Sequence, residues 1–202
     1  LLKITEYLIS KIDTEDGTNC LRILFGDWND SINGLGQTKD EGKEFGTGVS
    51  VMASLHLYQN LSEMSQILEK IGEKDDTIRR YKTIRENLKN AIKTNSSGQK
   101  RIVHGWGDHG SYQIGSFCDS DGASRISFAP YAFWATSGLI EETPELKNVL
   151  INNILALRSK YGILTLTPAF TPTSPGVGKI ATIPKGTAEN ECVYVHASMF
   201  SI

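Results

Sequence analysis

Five consecutive residues, Gly26-Asp27-Trp28-Asn29-Asp30, place two carboxylates, an indole and a carboxamide on one short stretch of chain. An indole face stacks on the apolar side of a pyranose ring while carboxylates and amides bond its hydroxyls, so the stretch reads as a sugar subsite. A carboxylic acid beside such a ring can protonate a glycosidic oxygen. Inverting hydrolases hold their acid and base about 6.5–9.5 Å apart. Asp27 and Asp30 are too close in sequence for that pair, which leaves only one of them as the acid. The competing reading is a polar turn, with Asp and Asn bonding the backbone and Trp28 plugging the loop onto the core.

Two more stretches concentrate polar chemistry. Residues 103–138 contain His104, Asp108 and His109, with no third ligand at a zinc-like spacing. They also contain Asp-Ser-Asp-Gly at 119–122, half of a calcium loop without its closing Glu. No metal is expected, and a turn held by side chain–backbone bonds is the better account. In residues 167–199 a Pro/Gly loop leads into a predicted helix at Gly-Thr-Ala-Glu-Asn-Glu, whose first-turn N–H groups would favour an anion. On that helix Glu189 and His196, seven residues apart, would share a face. Taken alone, a histidine on a helix such as His196 is more often a satisfied core residue.

The elements that must carry these groups are mostly helical. Met52, Leu55, Tyr58, Leu61, Met64, Leu68 and Ile71 recur every three or four residues and Gly72 stops the run. Ile78, Tyr81, Ile84, Leu88 and Ile92 repeat the pattern behind an acidic start at Asp75 and Asp76. A third run, Leu146, Leu150, Ile154, Leu157 and Tyr161, follows Thr143 as N-cap and Pro144 at the first helical position. The opening Leu1–Ile12, the segment Ala129–Leu139 and the closing Glu189–Ile202 are further helix candidates. Long polar loops at about 13–48, 95–128 and 162–187 separate them, and loops of that length are normally functional. The expectation is a mostly α architecture of antiparallel helix pairs with its loops gathered at one end. An apolar helical pattern still running at Phe200-Ser201-Ile202 reads as a fragment.

A net charge of -2 with 22% charged residues gives no basic block of the kind nucleic acid or an anionic membrane surface requires. No apolar run approaches the roughly 18 residues of a membrane span. Three widely spaced cysteines, Cys20, Cys118 and Cys192, form neither a disulfide framework nor a metal knuckle, and point to a reducing, cytoplasmic setting.

Together the three stretches resemble the family 94 glycoside hydrolases, the inverting disaccharide phosphorylases, over about residues 24–200. GDWND followed by GLG is similar to that family's general-acid loop. GWGDHG and ISFAPYAFWATSGL resemble its Asp-Gly loop and the helix after it, and LTPAFT…VGKIATIPKGTAENECVYVHAS its Glu-Asn…His-Ala segment. The resemblance implies an all-α (α/α)6 toroid, with residues 1–202 a fragment covering roughly half of one barrel domain. It also implies Asp30 as catalytic general acid, Trp28, Asp27 and Glu189 as substrate-binding residues and His196 as a phosphate contact. Inorganic phosphate would be the co-substrate, with no other cofactor. The partners would be a β-linked oligosaccharide and the remainder of the domain, with a homodimer as one arrangement. The chain departs from the pattern in carrying Glu191 where the family usually has Gly and Tyr131 where it typically has Gln. A carboxylate at 191 keeps an inverting hydrolase, with Glu189 or Glu191 as base, as the rival. A module of a cyclic β-glucan synthase and a non-catalytic sugar-binding toroid are the other readings.

Overall fold

The computed structural model describes all residues except 16, 29, 39, 73–74, 99–100, 108–111, 115–118, 120, 175 and 202. Six α-helices occur among the described residues: α1 (Leu2–Ile9), α2 (Val51–Ile71), α3 (Asp75–Ser96), α4 (Phe128–Thr136), α5 (Pro144–Ala156) and α6 (Val195–Ser198). Nine two- or three-residue strands lie between them: β1 (Val49–Ser50), β2 (Ser97–Gly98), β3 (Arg101–Ile102), β4 (Gly105–Gly107), β5 (Tyr112–Ile114), β6 (Ile126–Ser127), β7 (Arg158–Ser159), β8 (Gly162–Ile163) and β9 (Leu166–Thr167). The chain is therefore predominantly helical, but its long loops are not structureless as the sequence suggested. Short antiparallel ladders pin them, in the order β1-β4-β5 and in the pairs β2-β3, β6-β9 and β7-β8.

α2 and α3 form the antiparallel pair that their periodicity predicts. Leu55, Leu61, Tyr81 and Ile92 are fully buried between them, and Gly72 closes α2 in the left-handed conformation. Tyr58 Oη donates to Glu142 at 2.9 Å and accepts from Arg85, while Lys89 reaches the other Glu142 oxygen at 2.9 Å. This ties α2 and α3 to the 3-10 turn Leu139–Glu142. α1 is fastened by Glu6, which accepts from Nη1 and Nη2 of Arg80 and from Tyr81 Oη. α4 is buried from Phe128 through Trp134, as befits a helix apolar on every side, and Tyr131 lies wholly in the core, edge-on to His104 at 5.6 Å.

Three expectations need correction. α5 ends at Ala156, not Tyr161. Leu157 N–H bonds back to Asn153 O and a β7-β8 hairpin turns the chain, leaving Tyr161 76% exposed at its tip. Thr143 does not cap α5 with its side chain; its hydroxyl donates to Leu139 O at 3.0 Å. The closing helix is only the four residues of α6, so residues 186–191 form turns and not a helix start. No helix among the described residues is long and apolar enough to cross a membrane.

Candidate active site

The Asp-Trp-Asn-Asp loop is set by its own polar groups. The backbone of Gly26 runs at φ 139, and a Cβ there would lie 2.6 Å from the Asn33 carboxamide. Asn33 Oδ1 accepts the N–H of Asp27 at 3.0 Å, and the Asp27 carboxylate accepts from Ser50 Oγ. Ser50 is also the N-cap of α2, taking Ala53 N–H at 3.0 Å, and its carbonyl accepts from Ser54. Asp27 thus sits at the electropositive end of a 21-residue helix, a favourable place for a carboxylate. One of its oxygens anchors the loop whatever else it contacts. The 3-10 turn Asp30–Gly36 follows at once. Asn29 and the Asp30 side chain lie outside the described part of the structure.

All three sequence stretches meet at that turn. Ile32 and Leu35 are buried in a small core with Ile23, Leu166, Phe170, Val177, Ile180 and Ala181, separate from the main one. β4, from the second stretch, runs beneath them, where a Cβ on Gly105 would stand 3.1 Å from Ile32 and 3.2 Å from Leu35. From the third stretch, the 3-10 turn Gly178–Thr182 touches the Asp30–Gly36 turn backbone to backbone. A Cβ on Gly34 would lie 2.1 Å from Val177 C and 2.3 Å from Gly178 N. No side chain fits between them, so only glycine at 34 permits this approach.

Arg125 joins the second stretch to the third. Its guanidinium, 4% exposed, pairs with Asp121 at 2.7 Å and Asp119 at 3.2 Å. It also donates to the carbonyls of Pro168 and Ala169 and lies 4.0 Å over the Phe170 ring. Ser174 adds a bond to Asp121 at 2.7 Å. The Arg125 guanidinium holds the Asp121 carboxyl well below the usual carboxylate range. Asp119 and Asp121 are therefore an ion-pair clasp, with turn bonds Gly122 N–H to Asp119 O and Ala123 N–H to Asp121. His104 is buried, while Asp108 and His109 lie outside the described residues. Among the described residues no group of three His, Cys, Asp or Glu could hold a metal ion.

Trp28 faces the last segment of the chain. Its indole is parallel to Tyr194 within 4°, ring centres 6.0 Å apart, and edge-on to His196 at 5.6 Å and Phe200 at 5.5 Å. His196 is exposed. The first and third stretches thus share one aromatic patch, with Tyr194 and Phe200 as members that the sequence reading missed. Tyr194's place two residues before His196 was the available signal.

Glu189 and His196 do not share a helical face, contrary to the expectation from the sequence. Ala188 at φ 48 and Glu191 at φ 61 are left-handed, and α6 begins only at Val195. Fully buried Asn190 explains the turn. Its Oδ1 accepts Phe170 N–H at 2.8 Å, and its Nδ2 donates to Phe170 O at 2.9 Å, Ile183 O at 2.7 Å and Ile180 O at 3.5 Å. Those bonds replace the helix that the sequence suggested. Glu189 is half-buried, and its carbonyl accepts from Thr165 Oγ1 at 2.6 Å. Glu191 accepts from Thr167 Oγ1 at 2.9 Å and Ala169 N–H at 2.8 Å and pairs with Lys185 at 3.2 Å. Burial pushes its carboxyl up, but these donors more than offset that and leave it below its ordinary value.

The family model of the glycosyl hydrolase 94 superfamily catalytic domain matches residues 6–202, and the chain belongs to that family. It is 27% identical over 177 residues to the solabiose phosphorylase of Paenibacillus borealis, covering 88% of this chain and 22% of that protein. It is 29% identical over 175 residues to the 3-O-beta-D-glucopyranosyl-beta-D-glucuronide phosphorylase of the same organism, covering 87% of this chain and 21% of that protein. The chain thus spans about a fifth of the length of these curated relatives.

Proposed function

We propose that the chain supplies the general-acid side of an inverting glycoside phosphorylase acting on a β-linked glucosyl disaccharide or oligosaccharide, within an (α/α)6 toroid of which it forms roughly half. Asp30, protonated, donates to the leaving oxygen. Inorganic phosphate attacks the anomeric carbon from the opposite face, giving an α-sugar phosphate and the free acceptor sugar. Phosphate is already anionic, so no carboxylate base is required. Trp28 lines the sugar, Glu189 contacts it and His196 faces the phosphate. Chief support comes from the Trp28 indole edge-on to His196 and from the Asp30 turn packed on Leu166, Phe170, Val177, Ile180 and Ala181, which Asn190 ties to the turn bearing Glu189. The two phosphorylases among its relatives favour phosphate over water as nucleophile.

Two observations weigh against Glu191 as a hydrolytic base. Both of its oxygens are engaged, and its carboxyl is held below the ordinary value, which makes it a weaker base than a free glutamate. Its pairing with Lys185 also tempers its repulsion of a phosphate dianion. The test is sugar release from β-linked glucosyl disaccharides by the full-length protein, with and without phosphate. Release that requires phosphate supports the proposal, and release indifferent to it supports hydrolysis.

A further inference from the structure

We infer that Asn190 is a positioning residue for the proposed general acid: its carboxamide holds the 178–183 segment that seats the turn beginning at Asp30. The inference rests on the assignment of the acid to Asp30 and extends it. Asn190 is completely buried and spends its carboxamide on backbone groups of two other segments, Phe170 N–H and O on one side and Ile180 O and Ile183 O on the other. A leucine of similar size would fill the space but leave those groups unpaired. The 3-10 turn Gly178–Thr182 so fixed meets the Asp30–Gly36 turn at Gly34, where the two backbones are too close to admit a methyl group. Phe170 and Ile180, both held by Asn190, also wall the small core that buries Ile32 and Leu35. A short and rigid path therefore runs from Asn190 through Gly178 and Gly34 to the backbone of the turn. Asn190 need not touch substrate to act through it.

Misplacing a reacting group by about 1 Å can cost about 10²-fold in rate. A displaced general acid has a specific signature, because only a poor leaving group needs its proton. In the full-length protein, Asn190→Ala should lower phosphate-dependent turnover of a β-linked glucosyl disaccharide by about 10²-fold. Turnover of β-glucosyl fluoride, whose fluoride departs without protonation, should stay near the unsubstituted rate. Gly178→Ala should reproduce this from the other end of the path, since its Cβ would stand 3.0 Å from Gly34 Cα, and it decides the matter alone where Asn190→Ala does not fold. Asp30→Asn, assayed beside them, tests the acid assignment itself. If it loses both substrates equally, or neither, that assignment fails. If Asp30→Asn spares only the fluoride while the other variants lose both substrates equally, or lose neither, the positioning role of Asn190 is overturned.

Discussion

Asp30 and Trp28 carry the chemistry of this account at the residue scale, and each has its own test in the full-length protein. Removing a general acid costs about 10²–10⁴-fold in rate, so Asp30→Asn should fall by at least that much on a disaccharide. Trp28 packs against three rings, and aromatic pairs contribute about 0.5–1.5 kcal/mol each. Trp28→Ala should therefore raise KM for the sugar and lower stability by about 1.5–4.5 kcal/mol in denaturant titration, with Trp28→Phe recovering part of both. Asp121 makes a prediction about pH. Its carboxyl is held down in the folded state by Arg125, so the stabilisation it gives is complete above the ordinary carboxylate range and lost as pH falls through the depressed folded value. Asp121→Asn should cost about 3 kcal/mol near neutrality, as loss of a buried ion-pair partner does. That difference should stay flat through mild acid, begin to shrink as pH falls into the usual range of an aspartate and be lost at the depressed folded value.

At the scale of elements, the helices were legible wherever periodicity alone decides them. α2 and α3 match the apolar spacing from Met52 to Ile92, because burial between two helices imposes that spacing. The errors came where side chains compete with the backbone. The apolar pattern runs smoothly through Leu157 to Tyr161, but the β7-β8 hairpin takes the chain away after Ala156. Residues 186–191 look like a helix start, yet Asn190 bonds to Phe170, Ile180 and Ile183, none of them within a helical turn of it. Such partners leave no local trace. The same holds for Ser50, an ordinary serine in the sequence, whose hydroxyl both caps α2 and grips Asp27. Losing a serine cap costs about 0.5–2 kcal/mol. Ser50→Ala should show that loss in thermal unfolding together with a drop in kcat, because the loop bearing Trp28 and Asp30 loses its tether.

On the scale of the whole molecule, three stretches spread over residues 24–200 pack into one locality through a small core and a clasp on Arg125. The motifs announced the participants, but not the joints between them, because the Gly34–Gly178 contact and the Arg125 bonds span long gaps in sequence. The fold leaves apolar side chains uncovered on α1, where Ile4 is 62% and Tyr7 57% exposed, and on α5, where Ile151 and Leu155 are about half exposed. Those faces fit a chain that covers about a fifth of its relatives' length. The central claim is that Asp30 protonates a leaving sugar while phosphate inverts the anomeric centre. It is tested most directly by NMR of the products that the full-length protein and its Asp30→Asn variant form from a β-linked glucosyl disaccharide with inorganic phosphate. The unsubstituted protein should form an α-sugar 1-phosphate and the variant almost none. Free glucose formed equally without phosphate, or an undiminished yield from Asp30→Asn, would contradict it.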